Sequence, residues 1–230
     1  MEFTGELLKD IVTFTNQLKA EEGLFFSLLY EKNDWAFIIK LNAFVEAAIT
    51  ELVVKAIQND KIRQIIARLD IADTRFGKVV WLKALNILNA EDHRCVRALA
   101  ELRNFFVHNI TRINLSLVNY IAELDKNQLK SFIENFGYNA RESIEIGEKK
   151  IPKAEFIREN PKLTIWLAVY FMLGSIIIEF DRFGLQEKEL ELIKEKAEVL
   201  DEILKKMRIV QLEARKRALL RSITKKRIDS

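Results

Sequence analysis

The segment NAEDHRCVRALAELRNFFVHNIT, Asn89 to Thr111, reads as one amphipathic helix and decides the fold class. Asn89 is the expected N-cap, and Glu91 and Asp92 fall in the first turn, where acids suit the helix dipole. Cys95, Leu99, Leu102 and Phe106 recur at helical spacing and form an apolar face. Arg97, Glu101, Asn104 and His108 recur at the same spacing and form the polar face. Arg103 breaks the pattern, because it lies only about 40° around the helix from Leu99. A guanidinium on the core side must be paired or used, since burying it alone is too costly.

Arg103 and His108 carry the candidate chemistry. Five residues set them about 140° apart on an ideal helix. The long Arg stem closes part of that gap. A helix end near Val107, with Asn109 as a C-terminal residue and Thr111 as the next N-cap, would close the rest. The planar guanidinium binds two phosphate oxygens and stays charged. Imidazole suits proton transfer because it titrates near neutral pH. The structural alternative pairs Arg103 with Glu46 or Glu101 and leaves His108 merely closing the helix.

Arg103-Asn104-Phe105-Phe106-Val107-His108 is similar to the Arg-Asn-x-x-x-His motif of the HEPN superfamily, the "higher eukaryotes and prokaryotes nucleotide-binding" proteins. The lead-in from Phe76 to Leu88, FGKVVWLKALNIL, resembles bacterial members akin to the mannitol repressor family. The resemblance spans roughly Trp35 to Asn109. It implies an all-α, usually dimeric protein. Catalytic members are metal-independent endoribonucleases, often toxins or anti-phage effectors, and their site would correspond here to Arg103, Asn104 and His108. Many mannitol repressor-like members lack the full motif, which implies instead a regulator or dimeric interaction module.

Composition agrees with an all-α reading. The 230 residues are 49% hydrophobic and 31% charged, with 7 Gly and 2 Pro, so turns and sheet corners are scarce. The single cysteine, Cys95, cannot form an internal disulfide, and a reducing, cytoplasmic setting fits it. Glu2, Glu6 and Asp10 interrupt the N-terminal segment, so it is not expected to be a signal peptide. The net charge of +3 is uneven: Lys205–Ser230 holds ten Lys/Arg and two Asp/Glu, a net of +8, which leaves −5 for the preceding residues.

Along the chain, Thr4–Lys19 and Leu24–Tyr30 are expected helices. Asp34 is the expected cap of a long helix over Trp35–Gln58, apolar except for a stripe of Asn42, Glu46 and Thr50. That stripe would face the Arg103 helix, with Glu46 as a structural counter-ion or an orienting acid. Further helices are expected over Asp60–Leu69, Thr74–Leu88, Thr111–Leu124 and Lys126–Phe136. Residues 140–161, holding Gly147, Pro152 and Pro161, read as a loop-rich insertion, with Lys153–Glu159 as a helical candidate. Leu163–Ile178 has two readings, a membrane span or a core or dimer-interface helix. A span wants about 20 apolar residues, and Glu179, Asp181 and Arg182 follow this run, which favours the buried helix. Within it, Gly174 and Ser175 would permit close helix approach.

Gly184 and Leu185 are expected to break the chain into a helical domain, 1–184, and a charged helical extension, 185–230. In the extension Ile193, Ala197, Leu200, Leu204 and Met207 alternate spacings of four and three, a short coiled-coil seam. At its end Arg215, Lys216, Arg217, Lys225, Lys226 and Arg227 form a basic surface suited to nucleic acid or an acidic partner. There is no Gly-rich phosphate loop, no spacing for a metal site and no recognition helix. The expectation is therefore an all-α, HEPN-like bundle with a long charged C-terminal helix. It would need no cofactor or metal, would be homodimeric and off the membrane, and would have RNA and a cognate antitoxin or regulatory protein as candidate partners.

Overall fold

The structure, a computed structural model, describes residues 5–108, 110–146 and 149–228; the side chains of residues 146, 209–210 and 213–228 lie outside that description. The chain divides into two compact units, Met1–Phe183 and Gly184–Ser230. Among the described residues there are ten α-helices and one two-stranded hairpin.

The first unit is an all-α bundle built around two helices. Helix α1 (Gly5–Gln17) turns Ile11 and Phe14 inward. A short α2 (Leu24–Ser27) follows. Helix α3 (Asp34–Ile57) is the centre of the core: Phe37, Ile38, Leu41, Val45, Ala48, Ile49, Leu52 and Val53 are fully buried. Its cap is Asn33 rather than Asp34, because the Asn33 side chain accepts from the Ala36 amide. Asp34 is thereby released for distant partners. Its Oδ2 accepts from the Leu117 amide at 2.7 Å, and its Oδ1 pairs with Lys162 at 2.5 Å.

Helix α4 (Arg63–Arg68) comes after a 3-10 turn at Asp60–Ile62, and α5 (Lys78–Ala84) starts four residues later than the sequence pattern suggests. The delay has a local cause. Asp70 accepts from the amides of Ala72 and Asp73, and Asp73 accepts from those of Arg75 and Phe76, so residues 70–76 are held in turns. Gly77 closes them, since a Cβ there would meet the Asp73 carbonyl oxygen at 2.4 Å.

Helix α6 (Ala90–Val107) is the expected Arg/His helix, with Asn89 accepting from the Asp92 amide as its cap. Thr111 does not open a new helix. It lies in a 3-10 turn, Ile110–Arg112, and α7 spans only Leu117–Glu123 from its Ser116 cap. Helix α8 (Lys126–Phe136) begins with an Asp125/Gln128 capping box.

The expected loop-rich insertion contains an antiparallel hairpin, β1 (Ser143–Ile146) with β2 (Lys149–Pro152), Ser143 lying opposite Pro152. Helix α9 (Lys153–Glu159) follows it. The fold is thus all-α apart from one small hairpin.

Helix α10 (Pro161–Ile228) is the long C-terminal helix, and it differs from expectation at both ends of its first part. It begins at Pro161 and passes through Gly184 and Leu185 without a break. The long helix is therefore not the charged one expected as a whole: its first part is the apolar Leu163–Ile178 stretch, of which Ile165, Trp166, Ala168, Val169, Tyr170, Met172, Leu173 and Ile176 are buried in the first unit. Trp166 stacks on Phe25 at 4.9 Å and donates to the Phe25 carbonyl. Gly174 is not needed for close approach, since a Cβ there would make ordinary contact with Leu7 at 3.5 Å. The Pro161–Arg208 portion is long and apolar enough to cross a membrane by length and composition, with 61% of its most apolar window buried inside the protein.

Candidate functional site

Helices α3 and α6 pack together, with the start of α3 beside the end of α6: the Trp35 indole donates to the Phe106 carbonyl at 3.2 Å. That bond satisfies one of the carbonyls a helix leaves open at its C-terminus. Arg112 satisfies another, donating to the Phe105 carbonyl at 2.8 Å while its guanidinium lies 3.6 Å from the Phe105 ring. Phe105 also packs against Tyr120 at 4.8 Å. The last turn of α6 is therefore fixed from three sides.

This packing places Arg103 and Asn104 over the polar stripe of α3. A cavity of about 220 Å³ is lined by Asn42 and Glu46 of α3, Arg68 at the end of α4, Asp70 just after it, and Ala100, Arg103 and Asn104 of α6. Arg103 is half-buried and donates to the Asn104 Oδ1 at 2.9 Å. Among the described residues no ion pair joins it to Glu46 or Glu101. Glu46 is instead engaged by Lys78, whose ammonium is fully buried, 2.5 Å from Glu46 Oε1 and 3.2 Å from the Ala67 carbonyl. Asn42 is 5% exposed and its Oδ1 has no hydrogen-bond partner among the described residues. Thr50, the third member of the stripe, donates to the Glu46 carbonyl of its own helix.

His108 stands apart from this cavity. It is the C-cap of α6, its backbone amide bonded to the Asn104 carbonyl, and its ring is exposed. Exposed Val107 and Ile110 flank it, Ile110 being 78% exposed. Within one chain the structure brings together Arg103, Asn104 and Glu46, and leaves His108 at the helix end. Of the remaining site candidates, Arg215, Lys216, Arg217, Lys225, Lys226 and Arg227 have side chains outside the described residues.

Sequence reading missed two buried ionisable groups, Lys78 and Asp92. Nothing local marks Lys78 for burial, and its pairing with Glu46, 32 positions away, accounts for it. Asp92 reads as a first-turn acid, yet it is 1% exposed and accepts from the Tyr138 hydroxyl at 3.0 Å. Burial raises its carboxyl above the usual range, opposed by the bonds it accepts, and burial likewise raises the Tyr138 hydroxyl and the Cys95 thiol. His93 donates a ring N–H to the Ile87 carbonyl at 2.8 Å, and burial lowers its imidazole. These groups belong to the interior at the opposite end of α6 from Arg103. Asn42, by contrast, was visible in the α3 stripe. Among the described residues no three His, Cys, Asp or Glu side chains cluster in a way that could hold a metal ion.

No family model, no curated protein and no solved structure matches this chain.

Proposed function

We propose that this protein is a metal-independent endoribonuclease of HEPN type, with Arg103, Asn104 and His108 as its working residues. One observation carries the reading. The Arg103 guanidinium is held by a neutral amide at a cavity, with no carboxylate partner among the described residues, while the nearby Glu46 is already engaged by Lys78. A half-buried cation arranged this way suits a phosphate, which it would bind through two oxygens. Arg68 and Asp70 at the same cavity set one further cation and one anion beside it.

In the reaction the ribose 2′-oxygen attacks phosphorus and the 5′-oxygen leaves. The products are a 2′,3′-cyclic phosphate and a 5′-hydroxyl. His108 would take the proton from the 2′-hydroxyl or give one to the leaving oxygen, Arg103 would offset charge on the phosphoryl oxygens, and Asn104 would orient Arg103. His108 does not line the Arg103 cavity of its own chain. The reading therefore calls for two protomers with their α6 ends in one cleft, and the exposed Val107 and Ile110 give that end an apolar rim for a second copy.

The same separation favours a second reading, a non-catalytic mannitol repressor-like regulator or dimeric module. Neither reading uses the membrane or a cofactor, and both suit the cytoplasm, the nuclease as a toxin or anti-phage effector with a cognate antitoxin. The test is incubation of a mixed RNA pool with the purified chain in EDTA, with analysis of the new 3′ ends. The nuclease reading predicts cyclic-phosphate ends from wild type and none from His108→Ala. A His108→Ala protein that cuts as wild type does would overturn the mechanism.

A further inference from the structure

Among the described residues, helix α10 of the second unit carries an exposed apolar face. Leu190, Ile193, Leu200, Leu204 and Met207 of α10 are 46–57% exposed, and Ala197 between them is exposed too. The six are spaced three and four residues apart in alternation, which assigns Leu190, Ala197 and Leu204 to heptad position a, and Ile193, Leu200 and Met207 to d. Ile203, 48% exposed at a g position, widens the face on one side.

The flanking charges decide what covers it. In this register the g positions are Glu189, Lys196 and Ile203, and the e positions are Lys194, Asp201 and Arg208. In a parallel pair, where each g residue meets the e residue five positions on, Glu189 of one copy faces Lys194 of the other and Lys196 faces Asp201. In an antiparallel pair that crosses between Ala197 and Leu200, Lys194 faces Asp201. Neither arrangement sets like charges against each other, so the face is complementary to itself. Asp201 bonds Lys205 within the helix at 2.7 Å, but both groups are well over half exposed, and such a surface pair exchanges readily for another. We propose that the Leu190–Met207 seam pairs with the same seam of a second copy of this chain, as a two-stranded coiled coil. The assignment is independent of the nuclease reading, since a non-catalytic module would dimerise the same way.

The test is sedimentation equilibrium of the full chain, with circular dichroism confirming that each variant keeps its helix content. Wild type is expected at about twice the 26.9 kDa of one chain, and Leu200→Asp at the mass of a single chain. Lys194→Glu sets like charges together in both orientations and is expected to weaken the dimer about tenfold. Adding Glu189→Lys restores it in a parallel pair, and adding Asp201→Lys restores it in an antiparallel one. A monomeric wild type, a dimeric Leu200→Asp, a Lys194→Glu variant as tight as wild type, or failure of both second changes to restore it would overturn the proposal. Mass is the readout, so loss of the nuclease reading leaves this test unaffected.

Discussion

Two cations meet the polar stripe of α3, and they are held in opposite ways. Lys78 is fully buried and closed on Glu46 and the Ala67 carbonyl. Arg103 is half-buried, is held among the described residues by the Asn104 amide, and lies at a cavity. A buried charge that is paired and hydrogen-bonded holds the fold together, because removing its partner leaves a desolvated ion. A charge held by a neutral group beside open space has its remaining donors free for an anion. The same short stripe therefore serves the core with Glu46 and borders a candidate binding site with Asn42.

The contrast is broken most strongly at Glu46. Glu46→Gln strands the Lys78 ammonium and is expected to cost about 3 kcal/mol in urea unfolding. Lys78→Met combined with Glu46→Gln should recover most of that loss, since no buried charge then remains. An intermediate effect is expected at the helix end. Trp35→Phe removes the bond to the Phe106 carbonyl and should lower stability by about 1 kcal/mol, read by the same titration. Because that bond fixes the turn before His108, RNA cleavage should fall more than stability does. The smallest effect is expected at Asp92. Burial raises its folded carboxyl, so the native state binds that proton more tightly than the unfolded chain does. Asp92 thus costs stability once the pH exceeds the unfolded carboxyl's value, about 4. Asp92→Asn, which keeps an oxygen for Tyr138, should be more stable than wild type at neutral pH, with the difference vanishing below about pH 4. A loss of stability at neutral pH would contradict this.

Local periodicity carried most of the fold. Helix α6 starts at its expected Asn89 cap and ends at Val107, short of the full Asn89–Thr111 segment and at the end that Asn109 and Thr111 suggested, and α8 spans the predicted residues. Long-range partners were not legible. Asn33 and Asp34 are equally good caps by type, and which one caps α3 depends on Leu117 and Lys162, more than 80 residues away. Ser143–Pro152 pairs only four residues per strand, too few for an alternation to register against the surrounding charges. Gly184 failed as a break because one glycine costs a helix only about 1 kcal/mol, which the flanking helix formers override. For the candidate site, Arg103 stood out because it violates its own helix's apolar face. That Glu46 would go to Lys78, and His108 to the far side of the helix end, follows from tertiary packing alone.

The central claim is that Arg103 is held for use and not for stability. The direct measurement is RNA cleavage in EDTA by Arg103→Ala, run beside a urea titration of the same protein. The account predicts that cleavage is lost while unfolding shifts by less than about 1 kcal/mol, the range of a partly exposed, weakly paired cation. An Arg103→Ala protein that unfolds as readily as Glu46→Gln, or that cleaves as well as wild type, would contradict it.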